Sequence, residues 1–546
     1  MCSIRWALRL LAGVFLFFSA LNVSLTAGEK DPEVHVLGEG ATRGNIYRAP
    51  LLNNPKTLDP ATAEDMYSVA VVQQLFDGLV EFNRDLLVVP ALAETWQVEE
   101  GGQVYRFILR EGVRFHDGSR VTAQDVVFSL SRILRMNPPP AIMSHIMKIA
   151  GAADYRERKL EAVAGLQALD DRTVRIQLEE PYAPFLIALG MYQAKIVPAR
   201  LFVPGVEEFG RKPVGTGPFR FVSWDENRSV RLERFKDYYG GKVLLDGIVF
   251  VVYPGVEIEA VYRAFVNGEL HEMPLHAQVK KRLLERKDLQ VIHRPSLGLQ
   301  FYGINCRHSF LGNEDLRRAL SFAIDRKRLV AEVYDSQYEP ACGILPPGLL
   351  GYRPRDLQES FSPTRAEELM TKARKQQGEE MDTVELVSNS QSALALAEIE
   401  LMRESWSKLG ISLKPRFIPD WAQFENYIKS DAVQIYRYVW NADMPDPDNF
   451  LLPLFGIEAD ANFTKYRDER VHRLLQEARA AVDPVARAAL YRTIEDTVLN
   501  AAPILPLFYR SVNNVYHASV QGIQVSALGA HAMSYRGVWL KETEKP

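Results

Sequence analysis

Residues 438–450 read Tyr-Val-Trp-Asn-Ala-Asp-Met-Pro-Asp-Pro-Asp-Asn-Phe. Trp440 stands three residues before the carboxylate of Asp443, and Pro445 and Pro447 stiffen the backbone just beyond it and argue against a helix there. An acid beside an indole suits a cation that carries an apolar body. The carboxylate supplies a charge-assisted hydrogen bond and the ring covers the attached group. A peptide's terminal ammonium is one such cation. The competing reading makes Asp443, Asp446 and Asp448 solvated turn residues.

Other chemistries find no residues to carry them. The nearest approach to a zinc hydrolase motif is His271-Glu272-Met273-Pro274-Leu275-His276, where the second histidine comes one position late and Pro274 breaks the required helix. No Gly-x-Ser-x-Gly nucleophile elbow occurs. Gly240-Gly241-Lys242 lacks the earlier glycine of a phosphate loop, and Gly215-Thr216-Gly217-Pro218 lacks the third glycine of a dinucleotide fingerprint. His116, His145 and His293 are scattered and read as surface or satisfied core residues. No catalytic constellation, metal set or cofactor is expected, and the chain reads as a binder rather than an enzyme.

The chain has 546 residues, too many for one ordinary core, so two or three domains are expected. A net charge of −4 with both signs interspersed, and no basic run beyond Lys280-Lys281-Arg282, gives no reason to expect nucleic acid as a partner. At the N-terminus Arg5 and Arg9 precede an apolar run over 10–21, followed by Ser24, Thr26 and Ala27, which reads as a secretory signal over 1–27. The run is short for a membrane span. Leu11-Ala12-Gly13 begins like a lipoprotein box, but Val14 stands where the lipidated cysteine belongs. Export without a lipid anchor is the expectation, and the product is a soluble periplasmic protein. Loss of Cys2 with the leader leaves Cys306 and Cys342, a possible disulfide in an oxidising compartment.

These residues need elements to position them. A short strand is expected from residue 45, an apolar segment over 69–80, and a hairpin in which 105–109 is followed by 113–115 across Glu111-Gly112. Thr122-Ala123-Gln124-Asp125 is a capping-box variant that opens a helix with Val126, Val127, Leu130, Ile133 and Leu134 on one face. Strands are expected over 173–178, 219–224, 230–234 and 248–253, a helical face over 315–329, and a strand, helix, strand series over 384–388, 393–409 and 411–414.

The ordered set of motifs carries a resemblance. Leu75-Phe76-Asp77-Gly78-Leu79, Leu92-Ala93-Glu94-Thr95-Trp96, Gly112-Val113-Arg114-Phe115-His116-Asp117-Gly118, Val214 through Phe219, Asn267-Gly268-Glu269, Leu316 through Arg326 and the 440–450 stretch resemble, in order, solute-binding protein family 5. That family comprises periplasmic oligopeptide, dipeptide and nickel receptors of ABC importers. The resemblance implies an α/β, two-lobed periplasmic binding protein fold of type II, of the large class with an extra subdomain, its lobes hinge-linked around a ligand cleft. On that template 28–76, 204–299 and 508–546 form the first lobe, 77–203 its inserted subdomain, and 300–507 the second lobe. The resemblance further implies that Asp443 pairs with a peptide's α-ammonium beside Trp440. It also implies that the segment of Glu64, Met66 and Tyr67 hydrogen-bonds the peptide as an added strand. The implied partners are a peptide and an inner-membrane ABC permease, with the receptor a monomer. Chelated nickel, haem, an oligosaccharide or a sensing role are the alternatives. Dipeptide-selective members hold the ligand carboxylate with an Arg near the turn after the second lobe's first strand. Residues 387–397 contain no base, which leaves Arg403 and Lys372 as candidates for that role.

Overall fold

The computed structural model describes residues 46–202, 209–255, 258–377 and 383–541. The expected signal over 1–27 and Cys2 lie outside the described residues.

The capping box forms as its residue types dictate. The backbone N–H and hydroxyl of Thr122 donate to Asp125 Oδ2 at 2.9 and 2.8 Å, and the helix Ala123–Leu134 begins there. Val126, Leu130, Ile133 and Leu134 are buried. They face an antiparallel sheet in the order Ala93–Glu99, Val104–Leu109, Thr173–Gln177, Leu166–Ala168. The expected hairpin is corrected here. Val104–Leu109 has neighbours on both edges, so 113–115 cannot pair with it, and instead Arg114 bridges Arg120 across the Asp117-Gly118 turn. His116, just before this turn, is a core residue: Gly215 N–H donates to its Nδ1 and its Nε2 meets Gly217 O, both at 3.1 Å. Burial pushes the imidazole down to about 4.

A second sheet sets Ile46–Leu51 parallel to Gly247–Val252, with Ser229–Arg234 and Phe219–Asp225 following antiparallel. Glu272, in the failed hydrolase motif, is buried and accepts from Tyr47 and Tyr535 at 3.1 and 2.6 Å. It ties the first strand, the middle of the chain and the tail together.

The third sheet is the largest. Its order is Glu272–Pro274, Ile504–His517, Leu289–Ile304, Ile435–Asn441, Thr383–Ser388, Ser412–Phe417, with Glu339–Pro340 also on the Ile504–His517 strand. The last three on the main path run parallel, joined in part by the helix Ala393–Ser407, as the strand, helix, strand pattern requires. Separate apolar clusters cover its faces: Leu299, Phe301 and Tyr436 on one, Tyr302, Ile304 and Trp406 on the other. The pairing of the two long strands is interrupted between Pro295 and Leu299. The helical face expected over 315–329 is two helices, Glu314–Phe322 and Arg326–Tyr334, because Asp325 caps the second by accepting from Arg328 N–H.

Cys306 and Cys342 are free thiols, which corrects the disulfide expectation. Ile304 N–H donates to Pro503 O and Ala341 N–H to Leu507 O. Those anchor points are about 13 Å apart along an extended strand, well beyond bridging range. Cys342 bonds Ser360 Oγ at 3.0 Å, while burial pushes the Cys306 thiol up to about 11. At neutral pH a thiol reagent is expected to spare Cys306 in the folded protein and to modify both cysteines after unfolding. Alkylation without reductant, followed by peptide mapping, checks this, since a linked Cys306–Cys342 peptide would contradict it.

Candidate functional site

The strand Ile435–Asn441 outruns its parallel neighbour. Its last bridge to Thr383–Ser388 is at Tyr436, whereas its pairing with Leu289–Ile304 continues to Asn441 opposite Gly298. Burial falls along it, from buried Ile435 and Tyr436 to exposed Asn441. Ligands of open α/β sheets bind beyond the carboxyl ends of such strands. Trp421, half exposed just past the end of the Ser412–Phe417 strand, lies tilted against Tyr438 with ring centroids 6.0 Å apart and widens the apolar wall.

The 442–447 loop is held from three sides. Trp440 Nε1 donates to Asn449 O at 2.7 Å, and Asp443 N–H donates to Asn449 Oδ1 at 2.9 Å. Asp446 is fully buried and takes both terminal nitrogens of Arg487, at 2.7 and 2.8 Å, and it also accepts from Asp448 N–H at 2.8 Å. Met444 is buried among the apolar residues that cover the Ala93–Glu99 sheet. Asp446 and Asp448 are therefore not solvated turn residues. The prolines divide their roles: Pro445 lies in the loop, while Pro447 caps the helix Asp448–Phe455.

Asp443 is the exception in this loop. Its carboxylate is exposed and has no protein partner among the described residues, yet desolvation by the surrounding walls raises it above the usual carboxylate range. Within reach of its charge is Tyr192, whose hydroxyl is raised by burial and further by the charges of Asp443, Glu64 and Asp65. The fold thus brings Glu64 and Asp443, nearly four hundred residues apart in the chain, to one tyrosine. Sequence reasoning missed Tyr192, which sits in a single 3-10 turn and follows no period.

The expectation for 64–67 needs correction. Met66 and Tyr67 are the first residues of the helix Met66–Leu75, and Asp65 caps it by accepting from Tyr67 and Ser68 N–H at 3.0 and 2.8 Å. The Asx geometry of Asp65 wins over an extended run. What the segment offers a ligand is the Glu64 backbone, which has no partner among the described residues, and the side chain of Met66, 54% exposed.

Neither candidate for a carboxylate partner is available. Lys372 pairs with Asp315 at 2.8 Å, and Arg403 pairs with Glu400 on its own helix. A cavity of about 290 Å³ beside Tyr352 and Tyr509 also holds arginines, but Arg355 there is paired with Glu495 and Asp496.

Residues 88–462 match the family model described as bacterial extracellular solute-binding proteins, family 5 Middle. The chain belongs to that family. It is 28% identical to the dipeptide-binding protein of Escherichia coli K12 over 497 residues, 88% of this chain and 91% of that protein. It is 29% identical to heme-binding protein A of Haemophilus influenzae over 476 residues, 84% of this chain and 85% of that protein. Among solved structures, Helicobacter pylori DppA in complex with the peptide STSA aligns with a TM-score of 0.72 at 25% identity, covering 92% of this chain and 99% of that one. This family 5 protein accordingly has the two-lobed fold. No helix among its described residues is long and apolar enough to cross a membrane.

The anchor of the loop is testable without ligand. Because both partners of the Asp446–Arg487 pair are dry, Arg487→Ala leaves an uncompensated buried carboxylate. It is expected to lower unfolding free energy by about 3–5 kcal/mol in urea titration; a loss below about 1 kcal/mol would mean that the loop is held by its other contacts.

Proposed function

We propose that this chain is the periplasmic substrate-binding component of an ABC importer and that its ligand is a peptide held by its free N-terminus. The observation that carries this reading is Asp443, exposed beyond the end of the Ile435–Asn441 strand, desolvated by its surroundings and without a protein cation among the described residues, with Glu64 acting on the same Tyr192. A desolvated carboxylate is costly until a cation arrives. An α-ammonium supplies the charge, the Trp440 and Trp421 rings border the space for the body that follows, and the free Glu64 backbone accepts main-chain hydrogen bonds that are blind to side chains. Relatives named as dipeptide-binding proteins support the reading. A second reading, a haem-like solute in the same cleft, is favoured by the relative named heme-binding protein A.

In the proposed cycle a monomer closes over its ligand and an inner-membrane permease recognises the closed form. We assign residues 77–203 to the inserted subdomain and 300–507 to the second lobe. The break in strand pairing between Pro295 and Leu299 supports a hinge at that point.

Mass spectrometry of small molecules released by denaturing the purified protein tests the ligand class: a set of peptides with free N-termini is expected, and a single non-peptide compound would replace this reading with the second. By calorimetry, Asp443→Ala is expected to lower peptide affinity by a hundredfold or more, corresponding to roughly 3–5 kcal/mol for an ion pair closed inside a dry cleft. Unchanged affinity would remove Asp443 from the site. The pH dependence follows from the raised carboxyl. Only the ionised form pairs with an ammonium, so affinity falls as pH drops through the free protein's raised value, and binding there releases a proton. Calorimetry in mildly acid buffers of different ionisation enthalpy should register that release.

A further inference from the structure

We propose that Arg510 receives the ligand's C-terminal carboxylate, so that Asp443 and Arg510 together select a short zwitterionic peptide. The inference rests on the peptide reading above and adds the group that closes the other end of the ligand.

Arg510 lies on the Ile504–His517 strand between Tyr509, which pairs with Leu299, and Ser511, which pairs with Pro295. It therefore sits at the interruption between the two long strands. Its aliphatic stem crosses residue 298, which is glycine: a Cβ placed there would stand 3.2 and 3.3 Å from Arg510 Cβ and Cδ. The same point is 2.6 Å from Asn441 Oδ1. The side chain thus runs over Gly298 toward Asn441, the exposed last residue of the overhanging strand and two positions before Asp443. Nothing else claims the guanidinium. Among the described residues it has no hydrogen bond, ion pair or ring contact, and it is half-buried.

Two other arginines on this sheet are occupied. Arg437 on the same overhanging strand bonds Glu398 at 2.8 and 3.1 Å, and Arg294 donates to the backbone carbonyls of Val525 and Arg84. The free acids of the cleft, Glu64 and Asp443, would repel a ligand carboxylate. Arg510 supplies the opposite charge, with a planar fork that matches a carboxylate. With one strand spacing between Gly298 and Asn441 and two residues from Asn441 to Asp443, the two free charges stand on the order of 10 Å apart. That matches a peptide of about two or three residues, each spanning roughly 3.3–3.6 Å.

The test is calorimetry on the full chain with trialanine and trialanine amide. The wild type is expected to prefer the free acid by roughly tenfold to hundredfold, the range of a charge-assisted hydrogen bond. Arg510→Met keeps the stem and is expected to lower free-acid affinity to that of the amide while leaving amide affinity unchanged. Arg510→Lys is expected to restore part of the preference. A wild type that binds acid and amide equally overturns the proposal without any variant, as does an Arg510→Met protein that keeps the wild-type ratio. In both cases amide binding that is still lost in Asp443→Asn leaves the peptide reading standing. A wild type that binds neither probe, with a non-peptide compound released on denaturation, removes both.

Discussion

Asp446 and Arg487 meet through two hydrogen bonds of 2.7 and 2.8 Å with almost no water around either, and the geometry of the cleft hangs on that pair. Arg487 also donates to Ala478 O and Tyr491 Oη, so its position is fixed by two helices, Glu469–Ala480 and Pro484–Ala501. Asp446 cannot move without stranding a buried charge. A second carboxylate in the same dry region, Asp448, is raised to about 7, with burial the leading cause and Asp446 adding to it against the pull of Arg479. The guanidinium of Arg479 lies over the Tyr182 ring, and Arg479 O accepts from Ala183 N–H at 2.8 Å. One electrostatic cluster therefore shapes the loop and also joins the helices behind it to the 182–183 segment.

That junction is matched by reciprocal apolar contacts. Met444, from the 442–447 loop, is buried in the cluster around the Ala93–Glu99 sheet, and Leu86, from the connection between Val80–Phe82 and Val88–Pro90, is buried in the cluster with Phe301 and Tyr436. Each body thus holds one side chain of the other. With its neighbours so pinned, Asp443 is the member of the loop that turns outward. The contrast separates one acid from a row of three: Asp446 is neutralised by Arg487, Asp448 is sealed beside Arg479, and Asp443 is desolvated with no protein cation among the described residues.

The cleft is built of groups whose charges do not cancel within the protein. Glu64 and Asp443 approach Tyr192 from different parts of the chain, and Arg510 reaches across Gly298 at the strand interruption. In a folded interior such groups are normally paired, because desolvation without a partner is unfavourable. Free charges of both signs are the arrangement expected of a receptor whose ligand completes the pairing, and it agrees with membership of a solute-binding family.

Local signals were legible in the residues alone. The box at Thr122 and Asp125 depends on atoms three positions apart, and the strand, helix, strand series of 383–417 depends on short-range periodicity, so both appeared where the pattern put them. The acid beside an indole put Asp443 and Trp440 forward as candidates, and the ordered motifs marked the family. What the residues alone could not decide was pairing over long distances. Whether 113–115 returns to 105–109 depended on Thr173–Gln177 having taken that edge, and whether two cysteines meet depended on where they leave a strand near residues 503–507. Met66 and Tyr67 became helical through the cap at Asp65, a contest between local geometries that their types leave balanced. Arg487, Tyr192 and Arg510 carry no motif. Their roles arise because burial, or the absence of a partner, is a property of everything packed around a side chain, and that is set only when distant segments have come together.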